Sequence, residues 1–388
     1  MIRTIYFDNS ATTPVSERAA RKALVAMTEA WGNPSSVHGK GVEAERLVNE
    51  ARAHLVRALG IKNPRMGSLF FTGSGTEADN MAITGVLRAK SFRGTPRVIT
   101  TDSEHPAVLN PLREAERQGV EVIRLGTKGG VIDLDELSDA LTANTVLISL
   151  MRVNNETGAI YDVKGAFALA RERCPDVVTH CDAIQGFAKR DCDPKKLNAD
   201  LVSISGHKIG APKGIGALWC DGTLLTKKKI TPIVFGGGQE NGYRSGTENV
   251  PGIVAFGEAA RERADAMKDD YDSVVALRQG LIEGLPDGVT VNTPKGSYLP
   301  HIISLTVPGI KSEVLVRALS AEGIYLSAGS ACSSKKLKTS TALTAFGLAP
   351  EEADSTVRVS LSHRNTGEET AIFCEALRSA MARLARIR

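Results

Sequence analysis

The sequence predicts an α/β fold in which a mostly parallel central sheet is flanked by helices, with a smaller α+β domain beside it. From residue 68 to residue 205, short apolar runs alternate with amphipathic stretches, as strands alternate with helices around a parallel sheet. The apolar runs are nearly continuous, which is typical of strands that are buried on both faces. The length of 388 residues exceeds the usual size of one hydrophobic core and therefore favours two domains.

The elements follow from the same pattern. Strands are predicted at 68–72, 97–101, 120–125, 145–150, 177–181 and 201–205. Helices are predicted between them at 77–89, 107–118 and 164–173, and two earlier helices at 16–31 and 41–59, the first with Ser16 as its N-cap. After Pro251 a helix at 253–267 leads to further elements that end in a basic helix at 368–387. We therefore predict a large domain over 14–260, and a small α+β domain formed by 1–13 and 261–388.

Composition excludes several classes of protein. The net charge of +4 comes from 48 basic and 44 acidic residues, too even a balance for nucleic acid or a membrane surface to be the main partner. No window approaches the roughly 18 consecutive apolar residues of a membrane span, and the first residues do not resemble a signal peptide. A cytoplasmic protein is expected. Its six cysteines contain no C-x-x-C pair, so they are expected to stay reduced without forming a zinc site.

A glycine-rich turn lies between the first predicted strand and its helix. Residues 70–80 read Phe-Phe-Thr-Gly-Ser-Gly-Thr-Glu-Ala-Asp-Asn, and the turn leaves backbone N–H groups at a helix N-terminus, where the helix dipole favours an anion. Three interpretations stay open at this point: a phosphate site, a dinucleotide fingerprint completed by Asp102, or a turn without a ligand.

Two later positions favour one of them. Asp182 ends a buried strand, with Gln185 three residues on, and Lys208 follows another buried strand into a second glycine-rich loop. A lysine near an aspartate at the mouth of a parallel sheet suits a Schiff base with pyridoxal phosphate, whose pyridine nitrogen the aspartate keeps protonated. Hydride transfer needs neither residue. Taken singly, Asp182 also reads as a helix cap and Lys208 as a solvated charge.

Motifs along nearly the whole chain resemble the cysteine desulfurases of the NifS/IscS type, members of the class V aminotransferase superfamily with the pyridoxal-phosphate fold type I. The first is Ser205-Gly206-His207-Lys208, followed by Pro212-Lys213-Gly214. The others lie at 8–14, 32–36, 104–105, 154–156, 236–240, 244–249, 329–334 and 358–361.

The resemblance implies roles in binding the cofactor, pyridoxal 5'-phosphate. Lys208 is expected to hold the cofactor covalently and to move the substrate's Cα proton, with Asp182 on the pyridine nitrogen. His105 is expected to stack on the ring and to act as an acid or base. The remaining cofactor contacts are expected from Gln185 and Asn155 at the ring hydroxyl, from Gly75, Thr76, Ser205 and His207 at the phosphate, and from Thr247 at the phosphate of a partner subunit, which implies a homodimer.

The resemblance also implies a substrate and a reaction. Arg358, helped by Asn33 and Asn155, is expected to bind the carboxylate of L-cysteine, because a guanidinium fork matches a carboxylate. Cys332 is expected to take the sulfur as a persulfide, leaving L-alanine, and to pass it to an acceptor such as an iron–sulfur scaffold or a tRNA-thiolation enzyme. Alternatives are a selenocysteine lyase, another class V lyase or aminotransferase, and an inactive adaptor.

The surroundings of Cys332 set it apart from the other cysteines. Residues 328–334 are small and polar, which predicts a mobile loop, and Lys335, Lys336 and Lys338 would favour the thiolate if they fold close to it. A buried, inert thiol is predicted for Cys174, Cys181, Cys220 and Cys374, and an exposed one for Cys192. The runs 335–340 and 362–366 depart from the family's pattern, and this leaves the sulfur acceptor in doubt.

Overall fold

The structure is a computed structural model that describes residues 4–89, 94–329 and 340–385. The strands in these ranges are β1 (Ile5–Tyr6), β2 (Gly67–Thr72), β3 (Arg97–Thr101), β4 (Glu121–Leu125), β5 (Thr145–Met151), β6 (Val178–Asp182), β7 (Leu201–Ser205), β8 (Gly216–Asp221), β9 (Thr290–Val291), β10 (Ile302–Thr306), β11 (Ile324–Tyr325), β12 (Ser327–Ala328) and β13 (Thr356–Ser360). The helices are α1 (Glu17–Thr28), α2 (Gly39–Ala58), α3 (Gly75–Arg88), α4 (Pro106–Arg117), α5 (Leu134–Ala140), α6 (Val163–Arg173), α7 (Pro194–Leu197), α8 (Gly222–Thr226), α9 (Val250–Glu283), α10 (Ser312–Ser320), α11 (Thr341–Phe346), α12 (Pro350–Asp354) and α13 (Gly367–Ala385).

The central sheet has seven strands in the order β2-β8-β7-β6-β5-β3-β4. All of its strands run parallel except β8, which is antiparallel to both of its neighbours. Successive side chains of a strand point to opposite faces, so each strand contributes to two cores. In β2, for example, Leu69 and Phe71 pack on the face covered by α1, α2, α6 and α9, whereas Phe70 packs against α3, α4 and α8. The predicted fold class, a mostly parallel sheet flanked by helices, is confirmed.

A second core lies in the C-terminal part of the chain. The antiparallel sheet β12-β13-β10-β9 packs with α10 and α13, and β1 pairs with β11. Ile5 and Phe7, from the start of the chain, are buried in this core. A single helix, α9, runs through residue 260 and contributes residues to both cores. The division into domains at that residue stays a prediction.

The local signals explain most element boundaries. Ser16 caps α1 as predicted, its hydroxyl accepting the N–H of Ala19 at 3.1 Å. Strand β8 was not predicted, and α9 extends far beyond the predicted end at residue 267. Within the described ranges, no helix combines the length and the apolar character that crossing a membrane requires.

Candidate active site

A cavity of about 350 Å³ lies where β5, β6 and β7 end, because the carboxyl ends of parallel strands meet at one edge of a sheet. The structure brings most of the predicted site residues to its wall. These are Gly75, Thr76, His105, Asn155, Asp182, Gln185, Ser205, His207, Lys208 and Arg358.

The glycine-rich turn places the N-terminus of α3 at this cavity. Ser74 caps the helix by accepting the N–H of Glu77 at 3.1 Å, and Gly75 is the first helical residue. A Cβ atom on Gly75 would lie 2.4 Å from Cδ1 of Ile184 and 3.1 Å from Cβ of Ser205, so the approach of these elements requires glycine. Unpaired N–H groups at the start of a helix favour an anion, which suits a phosphate.

Lys208 projects from a short 3-10 turn that follows β7 directly. Its Nζ donates hydrogen bonds to the carbonyl oxygens of Ser10 and Ala11, at 2.6 and 3.0 Å. The N-terminal segment therefore crosses the cavity beside the lysine, and His207 contacts the same segment through Nδ1, 3.3 Å from Thr12 Oγ1.

Asp182 and Gln185 form the floor of the cavity, and both are about 5% exposed. Burial raises the pKa of Asp182 to about 6, while the Ile184 N–H at 2.9 Å and the charge of Lys208 oppose this rise. Gln185 donates from Nε2 to Ser10 O at 3.0 Å, and its buried Oε1 meets no hydrogen-bond donor among the described residues. An unused buried acceptor beside a buried carboxyl fits a ring that presents one hydroxyl and one protonated nitrogen, as pyridoxal phosphate does.

Two further buried acids, which sequence reasoning missed, lie behind Asp182. Burial raises the pKa of Glu104 to about 8, and it raises the pKa of Asp79 well above its ordinary value, where the charge of Asp182 adds to the effect. Glu104 accepts from Thr101 Oγ1 at 2.8 Å and from Met151 N at 2.9 Å. A signal for Asp79 was available, because it lies on the buried face of α3 at helical spacing from Ala82, Ile83 and Val86.

His180, a residue of β6, lies beside Asp79. Its Nδ1 lies 2.8 Å from Ser149 Oγ, and its Nε2 lies 2.9 Å from Ser203 Oγ and 3.6 Å from Asp79 Oδ1. Burial lowers the pKa of His180 to about 3, so the ring is neutral at physiological pH. The neutral ring of His180 therefore supplies no positive charge to balance the buried carboxyl groups of Asp79 and Glu104.

His105 lines the cavity at the start of α4. Its Nδ1 accepts the N–H of Ala107 at 3.1 Å, which places the proton of the neutral ring on Nε2. Burial lowers the pKa of His105 to about 4, and the positive charge of Lys208 lowers it further. At neutral pH the imidazole is therefore uncharged.

Arg358 reaches the cavity from β13 in the small sheet. Its Nη2 donates to Asp8 Oδ1 at 2.9 Å and to Ser327 Oγ at 3.1 Å, and its Nη1 donates to Asn155 O at 2.9 Å. Glu156, next in sequence and also on the wall, accepts a hydrogen bond from Ser340, and burial raises the pKa of Glu156 to about 7. Sequence reasoning did not single out Glu156.

Two predicted residues lie elsewhere. Asn33 is exposed and does not line the cavity; its Oδ1 accepts the N–H of Ser35 at 3.0 Å, so the side chain stabilises its own turn. Thr247 is exposed and also lies off the cavity wall.

Cys332 lies outside the described residues, as do Lys335, Lys336 and Lys338. The other thiols, Cys174, Cys181, Cys220 and Cys374, are buried as predicted. The prediction for Cys192 was wrong, because it is only 2% exposed. Its neighbour Asp193 caps α7 through Lys195 N at 2.9 Å, and the thiol between the two acids turns into the large core.

Comparison with known proteins places this geometry in context. The sequence model of the family described as Aminotransferase class-V matches residues 5–373. A curated protein of Methanosarcina thermophila named cysteine desulfurase IscS is 38% identical over 385 residues, covering 98% of this chain and 93% of that protein. The cysteine desulfurase IscS of Vibrio atlanticus is 40% identical over 386 residues, with the same coverage of 98% and 93%.

Solved structures show the same similarity. A NifS-like protein superposes with a TM-score of 0.90 at 33% sequence identity, covering 99% of this chain and 100% of that one. DndA from Streptomyces lividans superposes with a TM-score of 0.76 at 35% identity, covering 91% and 98%.

Proposed function

The chain belongs to the class-V aminotransferase family, and from that premise we propose that it is a cysteine desulfurase that converts L-cysteine to L-alanine and transfers the sulfur. The resemblance to that enzyme class predicted from the motifs is confirmed, because relatives named cysteine desulfurase match 98% of the chain. The observation that carries the proposal is the convergence of Lys208, Asp182 and Arg358 on one cavity.

Membership of this family implies dependence on pyridoxal phosphate in general, and the cavity walls support specific contacts. When bound, the cofactor supplies an electron sink that stabilises negative charge at the substrate's Cα and so activates the bond between Cβ and sulfur. Asp182 would pair with the pyridine nitrogen, and the unused Oε1 of Gln185 would accept the ring hydroxyl. Asn155 lies on the same wall and would also contact that hydroxyl.

The phosphate would lie at the start of α3. Gly75 and Thr76 provide backbone N–H groups there, and Ser205 and His207 complete the wall. Thr247 is exposed and off this wall, so its proposed contact is with the phosphate of a partner subunit in a homodimer.

Arg358 is the proposed site for the substrate carboxylate. Asp8 Oδ1 and the carbonyl of Asn155 fix the two Nη atoms of its guanidinium, so the group is oriented before substrate arrives. Asn33 was proposed as a helper, but its side chain is engaged in its own turn and would have to rearrange to take part.

Lys208 and His105 are the residues proposed to take part in proton transfer. The amine of Lys208 would take the proton from the substrate's Cα, and the charge of Asp182 beneath it favours the protonated lysine that results. His105 is neutral with its proton on Nε2, so it would act first as a hydrogen-bond donor toward the substrate.

The sulfur transfer requires Cys332. Its thiolate attacks the substrate sulfur, and the S–S bond forms as the bond between Cβ and sulfur breaks. The electron pair of the broken bond stays with the carbon fragment, which takes up protons and leaves as alanine. We propose that the persulfide then passes to an acceptor such as an iron–sulfur scaffold or a tRNA-thiolation enzyme, in the cytoplasm.

The test is the yield of alanine and sulfide from L-cysteine under reductant, for the wild type, Cys332→Ala and the control Cys174→Ala. Equal amounts of both products from the wild type and the control, absent from Cys332→Ala, would establish desulfuration through Cys332. Turnover retained by Cys332→Ala would contradict the persulfide route and favour a lyase. Faster reaction with selenocysteine than with cysteine would favour the selenocysteine lyase.

A further inference from the structure

A second, smaller cavity lies behind Lys208, on the other side of the N-terminal segment. We call it the rear cavity; its volume is about 50 Å³, enough for roughly four water molecules. Ser10 and Ala11 line the active-site cavity, Asn9 and Thr13 line the rear cavity, and Lys208 lines both. The two cavities are therefore separated by one segment of backbone.

The rear cavity is strongly cationic. Lys189, Lys208, Arg263 and Arg364 line it, against the single carboxylate of Asp270. That carboxylate is already neutralised, because Arg263 Nη1 donates to its Oδ2 at 2.7 Å. That leaves Lys189 and Arg364 without an acid partner among the described residues of this wall.

Among the cationic residues of this wall, Lys189 is the one for which a counter-charge would be most stabilising. It is partly buried, and among the described residues its ammonium group makes neither a hydrogen bond nor an ion pair. Burial, with a smaller contribution from the charge of Lys208, lowers the pKa of Lys189 to about 7. A partly buried ammonium group without a partner is less stable than a paired one, and a bound anion would supply the missing counter-charge.

Neutral histidines complete the wall. His301 is 6% exposed, and its Nδ1 is buried without a partner among the described residues. Burial lowers the pKa of His301 to about 3, so the ring is neutral and has one N–H to donate. His363 lies with Nε2 only 2.8 Å from Arg263 Nη1, and burial lowers its pKa to about 4.

We propose that the rear cavity binds a small oxyanion of about the size of sulfate, held by Lys189, His301, Arg263 and Arg364. The volume admits an ion of four or five heavy atoms, and the wall offers cationic and neutral N–H donors. Ser362, His363 and Arg364, which belong to the run 362–366, also line this cavity.

The experiment titrates the holoenzyme with sodium sulfate against sodium chloride at matched ionic strength, by calorimetry and by the thermal unfolding midpoint. Saturable binding and a sulfate-specific rise of the midpoint are expected for the wild type. Lys189→Met should raise the dissociation constant for sulfate about ten-fold or more, because it removes one charge-assisted contact. Lys164→Met removes an exposed lysine elsewhere and should leave the constant unchanged.

Two results would overturn the proposal. An equal response of the wild type, Lys189→Met and Arg358→Lys would mean that sulfate acts by exclusion from the protein surface. A response lost in Arg358→Lys but kept in Lys189→Met would place the anion at the substrate site. If Lys189→Met does not fold, Arg364→Gln at the exposed rim replaces it; a several-fold weaker affinity supports the site, and an unchanged one refutes it.

Discussion

Gly75→Ala tests whether the start of α3 is a close-fitting cradle. The added Cβ would lie 2.4 Å from Ile184 Cδ1, 3.0 Å from Ile184 Cγ1 and 3.1 Å from Ser205 Cβ. The first contact involves the flexible end of a side chain, which can rotate toward the cavity. The other two involve atoms near the backbone, so part of the strain stays.

The magnitude follows from these contacts. Overpacking of this kind costs about 1–3 kcal/mol. Replacing glycine by alanine in a helix stabilises the folded state by about 0.5–1 kcal/mol. We expect the free energy of unfolding to fall by about 1–2 kcal/mol. The rotated Ile184 would also occupy space at the phosphate end of the cavity, and each 1.4 kcal/mol of that penalty raises the cofactor's dissociation constant about ten-fold.

The assay pairs urea unfolding with titration of pyridoxal phosphate followed by absorbance. Gly39→Ala is the matched control, because Gly39 is also the first residue of a helix, α2, and an added Cβ there meets nothing within 4 Å. The control should unfold at the same urea concentration as the wild type or slightly above it. If Gly75→Ala matches the wild type in both stability and cofactor affinity, the cradle argument is wrong.

Three further predictions concern charged groups. Arg52→Ala should lower the free energy of unfolding, measured by urea titration, by about 3–5 kcal/mol, because Arg52 forms a bidentate ion pair at 2.8 Å with the buried Glu240, which would lose its counter-charge. Replacing the exposed Arg46 by Ala should change the free energy of unfolding by less than about 0.5 kcal/mol. Equal losses in the two variants would contradict the argument. Glu104→Gln should become more stable relative to the wild type as the pH rises from about 4.5 to 8. The pKa of Glu104 in the folded protein is raised to about 8, so over this interval the folded wild type holds a proton that the unfolded chain has lost. The free energy of unfolding of the wild type therefore falls as the pH rises. Unfolding at pH 5 and pH 8 measures this, and a constant difference between the two proteins would refute it. Arg358→Lys should raise the KM for L-cysteine about 10- to 100-fold in steady-state assays, because a point charge replaces a guanidinium fork; an unchanged KM would remove Arg358 from the substrate site.

The parts of the fold that rest on local signals could be predicted from the sequence. The strands at 97–101 and 201–205 match β3 and β7, because a short apolar run bounded by turns leaves few other structures possible. Strand β8 was missed because its apolar run directly follows a glycine-rich loop and breaks the alternation of strands with helices. Its pairing with the preceding strand β7 and with β2, which is distant in sequence, defines it.

Helix α9 was predicted too short for a different reason. Beyond residue 267 its sequence is rich in charges and shows weak apolar periodicity, since the helix passes from one core to the other. The absence of glycine and proline from 258 to 279 was the available signal.

Sequence reasoning located the site residues where motif and topology agree. Asp182, Ser205 and Lys208 follow adjacent parallel strands, so their meeting follows from the predicted sheet. Asn33 shows the limit, because a short amide side chain can serve its own turn as readily as a distant ligand. Asp79 is the opposite case, a residue near the site that was not predicted. In the sequence it is only a polar residue within an apolar helix face, and the structure places it near other acids.

The pairing of Asp8 with Arg358 also bears on how the protein is made. These residues are 350 positions apart, yet their side chains lie 2.9 Å from each other at the proposed substrate end of the cavity. At about 5–20 residues per second, a ribosome needs roughly 20–70 s between the two. For the last 150 of those residues, roughly 8–30 s, a nascent chain has Lys208, the proposed cofactor lysine, but not Arg358, the proposed carboxylate-binding residue. A chain stalled before β13 therefore lacks the part of the site that is proposed to bind the substrate carboxylate.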